Sequence, residues 1–157
     1  MKTNYLLPNK YKIPGWILLM SGLITGLIQM IYGVEPEIFE IKVPQILSSS
    51  GFFDDDKSFL SFKENNIFDE IISVLIIIGG LLVGFTKEKE EDEFIYKLRK
   101  DSLVWAIILN YSILLFSVMF IYDMPFLNVM IYNMFTPLLF FIIRFNFLKL
   151  KSRSDEE

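Results

Sequence analysis

Apolar residues in this 157-residue chain gather in four long blocks, separated by polar stretches of very unequal length and charge. The first block, residues 14–33, reads PGWILLMSGLITGLIQMIYG. Its length matches the roughly 20 residues a helix needs to cross a hydrocarbon core about 30 Å thick. The second, residues 67–86, is capped by polar residues and otherwise dominated by Ile, Leu, Val and Gly. The third and fourth, residues 102–122 and 125–146, are joined only by Asp123 and Met124, a link short enough to force an antiparallel helical hairpin. The pattern changes to period two at residues 39–43, where Phe39, Ile41 and Val43 alternate with Glu40 and Lys42. This predicts a short strand that Pro44 ends or confines to a sheet edge.

Polar and small residues inside the blocks predict how the helices meet. Gly15, Gly22, Gly26 and Gly33 share one face of the first span, with Ser21, Thr25 and Gln29 beside them. Ser73, Ile77, Gly80 and Gly84 form a similar seam on the second, and GLLVG echoes GLITG. Gly22 and Gly26 are therefore expected to pack antiparallel against Gly80 and Gly84. Asn66 is the predicted N-cap of the second span, with Asp69 and Glu70 in its first turn, where the helix dipole favours acidic groups. Asn110 and Thr136 lie at similar depth in the hairpin and are expected to meet across it, with Asn133 about a turn farther out. Pro137 predicts a kink, the Thr136 hydroxyl re-satisfying freed backbone, and Arg144 is placed to snorkel from its helix end.

Composition gives these blocks their solvent. A chain that is 53% hydrophobic, with mean hydropathy +0.45, sixteen Phe and a single Ala, suits a surface facing acyl chains. With neither Cys nor His, it lacks the Ser-His triads, Cys-His dyads and His-based zinc sites of small hydrolases. A net charge of −4 argues against nucleic acid, since phosphate neutralisation needs a basic face. No cofactor or catalytic set is expected. The first span is too long for the apolar region of a signal peptide and no A-x-A-like site follows it, so it is read as an anchor that stays.

The long loop at residues 34–66 is acidic. Its contiguous Asp54, Asp55 and Asp56 lack the alternation of an EF-hand, and FFDDDKSFLSF at residues 52–62 is expected to lie on the bilayer surface. Lys2, Lys10 and Lys12, the five Lys/Arg of residues 87–101, and Lys149, Lys151 and Arg153 would share one side, against three Lys in the loop and none in the short link. The positive-inside rule then places both termini and the stretch between the second and third spans in the cytoplasm. The tail from Lys151 is expected to fray.

That connector, residues 87–101, holds five Lys/Arg and six Asp/Glu in fifteen positions. It contains neither Gly nor Pro and offers i, i+4 pairs such as Lys87–Glu91, Lys89–Glu93 and Glu93–Lys97, which predicts a helix. Phe94, Leu98, Asp101 and Trp105 fall on one stripe running into the third span, leaving a charged face for water. The connector GFTKEKEEDEFIYKLRKDSLVWA, together with YNMFTPLLFFIIRF, resembles a group of small uncharacterised bacterial four-span inner-membrane proteins that carry a KEK-x-EDE-x-I-x-x-LR-x-x-SL-x-WA pattern at this place. The resemblance implies a multi-pass protein of the cytoplasmic membrane and brings no activity or cofactor.

The expected fold is therefore an all-α four-helix transmembrane bundle, N-in/C-in, forming one membrane domain with a helical charged connector. A fifteen-residue connector exceeds what a turn requires. The expected function is a non-enzymatic adaptor, scaffold or sensor-input subunit. It would bind a protein partner or a second copy through Glu91, Asp92, Arg99 and Lys100, with Phe94, Leu98 and Trp105 seating the connector. The alternative expectation is a subunit of a small oligomeric channel or transporter, with Asn110, Asn133, Thr136, Asp69 and Glu70 along a polar path.

Overall fold

The structure, a computed structural model, describes residues 6–33, 36–45 and 61–154. Residues 46–60, with the Asp54–Asp56 run and most of FFDDDKSFLSF, lie outside them. Five helices follow the apolar blocks: α1 (Lys12–Tyr32), α2 (Phe68–Phe85), α3 (Glu93–Phe120), α4 (Asp123–Asn133) and α5 (Thr136–Ser154). Two short strands, β1 (Glu40–Gln45) and β2 (Ser61–Asn66), stand between α1 and α2. The helices α1, α2 and α3 are each long and apolar enough to cross a bilayer, and α4 with α5 makes a fourth span if the bent pair is counted as one.

Length explains how the spans are used. At about 1.5 Å per residue, the 28 residues of α3 reach about 42 Å, more than a hydrocarbon core needs. Its first turns, residues 93–101, carry the charges, and residues 102–120 remain to cover about 28 Å. Only 17% of the apolar window of α1 and of α3 is buried, and Ile17, Ile24, Tyr111, Leu115, Phe116 and Phe120 stand exposed. So much exposed apolar surface fits helices whose solvent is lipid.

The chain divides into two compact units, Met1–Ser21 with Leu75–Glu157 and Gly22–Val74. In the first, the buried apolar residues are Leu6, Leu19, Ile76, Val83, Ala106, Phe141, Ile142 and Phe145. Close approach of helices there depends on glycine. A Cβ on Gly15 would meet Leu82 and Val83, and one on Gly79 would run into the backbone of Leu18 and Leu19. On a different face of α2, Gly80 lies against Leu138 and Ile142, and Gly84 against Phe141. The expected seam is corrected accordingly: Gly79 meets α1, while Gly80 and Gly84 serve α5. Adjacent glycines point about 100° apart on a helix, so the pair opens two thin faces.

The second unit holds the sheet. β1 and β2 pair antiparallel from Glu40 opposite Asn66 to Gln45 opposite Ser61. The strand at residues 39–43 is found one residue later and runs on through Pro44, which a two-stranded sheet tolerates because both strands are edges. β2 was not expected; its SFKENN sequence has few of the β-branched and aromatic residues that mark strands. Asn66 acts as anticipated, but one residue further from the helix: its side-chain oxygen accepts from Phe68 N at 3.0 Å and its amide donates to Pro36 O at 3.2 Å. Asp69 accepts from the Gln29 amide and Glu70 from Asn65. Gly26 faces Ile72, and Gly22 is buried. Gly33, with φ of +62°, ends α1 in the left-handed conformation usual for a residue just past a helix.

The fourth block is two helices rather than one kinked span. α4 and α5 are bent by 42° at Met134 and Phe135. Pro137 has no N–H for the helix ladder, so the chain tightens into i→i+3 bonds from Met134 N to Ile131 O and from Phe135 N to Tyr132 O. The Thr136 hydroxyl donates to Tyr132 O at 3.3 Å, a carbonyl that Phe135 N also reaches, and not to Asn133 O, the one that Pro137 frees. No hydrogen bond joins Asn110 to Thr136 among the described residues; Asn110 Oδ1 is buried without a partner. The reversal before α4 uses Ile121 and Tyr122, with Asp123 at φ 60°, a conformation Asp tolerates better than most residues. α5 continues through Ser154, and residues 155–157 of the tail lie outside the described residues.

Candidate functional site

The connector is not a continuous helix. α2 ends at Phe85, residues 86–92 are non-helical, and helix resumes at Glu93. The i, i+4 pairs Lys87–Glu91 and Lys89–Glu93 are therefore not made: residues 86–92 are not helical, and Glu91 pairs with Arg99 instead. Asp92 is the N-cap of α3: its Oδ1 accepts from Ile95 N at 2.7 Å, which starts the helix there.

Upstream, the N-terminal segment zips onto the connector backbone. Leu7 N donates to Phe85 O and Lys87 N to Leu7 O, each at 2.9 Å, and the Asn9 amide donates to Lys87 O at 2.7 Å. Leu6 is buried beside this pairing. A backbone that would otherwise leave a helix end unsatisfied is thus paired by another part of the chain.

Two groups of charged side chains lock the connector. In the first, Glu88 takes both Lys12, at the start of α1, and Lys149, near the end of α5, the latter at 3.1 Å. In the second, the Glu91 carboxylate accepts a fork from Arg99, at 2.6 Å from Nη1 and 3.1 Å from Nη2, and also closes a turn by accepting from Glu88 N at 2.9 Å. Arg99 Nη2 reaches Thr86 O at 3.3 Å, and the guanidinium lies over the Phe145 ring. Planar forks of this kind are the strong form of carboxylate pairing.

The predicted site residues therefore separate. Glu91 and Arg99 face inward, and the Arg99 side chain is only 5% exposed. Asp92 is exposed but occupied as a cap, Phe94, Lys100 and Trp105 are exposed, and Leu98 is half-buried. The buried stripe of α3 is Arg99, Ser102 and Ala106, one position round from the expected Phe94, Leu98, Asp101 and Trp105. Small side chains at Ser102 and Ala106, both fully buried, suit the close packing of α3 on α5. Arg144, expected to snorkel, lies over the Trp105 ring. Nothing local in the sequence joins Lys12, Glu88 and Lys149, which stand too far apart for any helical or strand spacing to link them.

Beside the Glu88 triad lies a cavity of about 580 Å³. Charged groups and apolar ones share its wall: Lys12 and Lys149, then Ile13, Trp16, Phe94 and Ile95. Among the described residues no group of three or more Asp or Glu is arranged to hold a metal ion.

Burial pushes the Glu88 carboxyl up, but hydrogen bonds and charge from Lys12 and then Lys149 outweigh it, leaving the group below its ordinary value of 4.5. A lowered folded-state value contributes stability that is present above 4.5 and lost as pH falls through the folded-state value. Stability of the wild type should thus fall on acidification below the ordinary carboxylate range, and Glu88→Gln should remove that part of the slope. Unfolding midpoints of both proteins in one detergent from neutral to acid pH check this; parallel curves would refute it.

No protein family, curated protein or solved structure matches this chain.

Proposed function

We propose that the chain is a non-enzymatic multi-pass protein of a bacterial cytoplasmic membrane, with both ends and the connector in the cytoplasm. It acts as an adaptor, scaffold or sensor-input subunit whose connector engages a protein partner. The observation that carries this reading is the division of the connector's charges. Glu88, Glu91 and Arg99 are spent on holding its shape, while Lys89, Glu90, Glu93, Lys97 and Lys100 stay exposed on a turn and helix start that those ion pairs fix. A pre-ordered charged surface loses little entropy on binding. Support also comes from the Lys/Arg distribution and from the resemblance carried by the connector.

The recognition surface accordingly moves from Glu91 and Arg99 to the exposed set. Photo-crosslinkers placed in cells at Glu90, Glu93 and Lys97 should capture a defined protein, and Glu90→Ala, Glu93→Ala, Lys97→Ala and Lys100→Ala together should abolish its capture while leaving membrane levels unchanged. Undiminished capture in that variant would end this reading. One observation favours the channel reading as second: Asn110 Oδ1 and Asn133 Oδ1 are buried and unpartnered among the described residues. Ion flux through proteoliposomes that disappeared with Asn110→Leu and Asn133→Leu would put it first.

A further inference from the structure

We infer that the cavity beside the Lys12–Glu88–Lys149 triad binds the phosphodiester of a membrane phospholipid, with Lys12 and Lys149 on the phosphate and Ile13, Trp16 and Phe94 along its glycerol and first acyl carbons.

The placement of charge at the buried end of the cavity selects the ligand. Lys12 and Lys149, whose side chains are 17% and 19% exposed, share a single carboxylate. Two ammonium groups on one carboxylate leave one positive charge in a half-buried place, and a phosphodiester carries one negative charge. The remaining charged lining groups are Lys89, Glu90 and Asp92, all exposed, with Asp92 turned to the backbone of α3 as its cap, so the wall balances three lysines against three acids and the positive excess is local to Lys12 and Lys149. Each lysine ammonium has three donors, so both can keep Glu88 and still reach a phosphate oxygen.

The apolar wall selects the source of the phosphate. Ile13 and Phe94 are 72% and 52% exposed, and Trp16 is half-buried. They come from the first turns of α1 and α3, next to the charges. An inorganic anion would leave these side chains wet, whereas a glycerophospholipid offers carbon directly beneath its phosphate. A volume of about 580 Å³ falls in the ordinary range of small-molecule sites and admits a headgroup with its glycerol. Lys12 is also the first residue of α1, immediately before its apolar run, where a span leaves the hydrocarbon and phosphates lie.

The inference rests on the membrane embedding proposed above; Lys89 and Glu90 belong both to the cavity rim and to the proposed partner surface, so the lipid test is read on Lys12, Lys149 and Phe94. Resistance of the membrane-bound chain to alkaline carbonate extraction tests the embedding by itself. The site is tested on the full chain purified in a non-ionic detergent, by native mass spectrometry and thermal unfolding with phosphatidylglycerol, diacylglycerol or inorganic phosphate. Phosphatidylglycerol should remain bound and raise the unfolding midpoint, and the other two should do neither. Lys12→Gln with Lys149→Gln should weaken lipid binding roughly tenfold or more, given charge-assisted bonds to both side chains. Lys97→Gln with Lys100→Gln should leave it unchanged.

Because loss of both lysines strands Glu88, two further variants keep the question answerable if that protein does not fold. Lys12→Arg with Lys149→Arg should retain binding, and Phe94→Ala should weaken it severalfold. Equal binding of diacylglycerol, lipid binding indifferent to the Gln pair or to Phe94→Ala, or an equal loss in the Lys97 and Lys100 control would overturn the inference. So would protection by inorganic phosphate at the same concentrations as lipid, which would assign the site to a soluble anion.

Discussion

Arg99→Ala should lower the unfolding free energy by about 3–5 kcal/mol, the usual cost of removing one partner from a buried ion pair. The guanidinium is 5% exposed and holds Glu91 in a two-bond fork, so its loss leaves a carboxylate that is only 17% exposed without compensation. The same change removes a donor from Thr86 O and a cation from the face of Phe145. Since Glu91 also closes the turn at Glu88, the effect should spread to the residue that receives Lys12 and Lys149.

Two companions separate pairing from mere bulk. Arg99→Lys keeps the charge but not the fork and should fall between the wild type and Arg99→Ala. Arg99→Ala with Glu91→Ala should cost less than the two single changes summed, because the stranded carboxylate is gone. Chemical unfolding in one detergent, followed by circular dichroism, measures all four. An Arg99→Ala protein as stable as the wild type would show that the fork contributes nothing.

Gly79→Ala is expected to destabilise by about 1–3 kcal/mol or more, as overpacking does. Its sign is informative, because helix propensity alone would stabilise by about 1 kcal/mol. The new methyl would press on the backbone N and Cα of Leu19, and backbone cannot turn aside as a side chain can. The two helices must separate locally, loosening Leu19 and Val83, both buried. Gly26→Ala is the matched control. Its Cβ would sit 3.2 Å from the Ile72 methyl Cγ2, which can give by a few tenths of an ångström, so that change should be near neutral or slightly stabilising. Equal stability of Gly79→Ala and Gly26→Ala would mean that the approach at Gly79 is not tight.

The fold was legible wherever one residue's chemistry acts on its own neighbourhood. The apolar blocks marked the spans, Asn66 marked the entry to α2, and Pro137 marked the break in the last block. Pro137 acts locally, through a missing donor and a ring against the preceding turn, and no partner is needed to predict it. The connector departs from the helix that its local pairs predict. Lys87–Glu91 and Lys89–Glu93 stabilise a helix by about 0.2–0.5 kcal/mol each, which is small beside a buried fork or a shared carboxylate. Once Glu91 is drawn to Arg99 and Glu88 to Lys12 and Lys149, residues 86–92 cannot also be helical.

Sequence by itself marked the apolar blocks that become helices, three of them long enough to cross a bilayer, and the concentration of charged groups at residues 87–101. Tertiary structure alone decided which of those charges face inward, which face of the Gly79–Gly80 pair meets which helix, and that Lys12, Glu88 and Lys149 converge on one cavity. The reason is the range over which each is set. Helical period and capping act within a few residues, whereas Lys12 and Glu88 stand 76 positions apart and share no local signal. Their pairing exists only because the N-terminal segment, the connector and the end of α5 are brought together by packing.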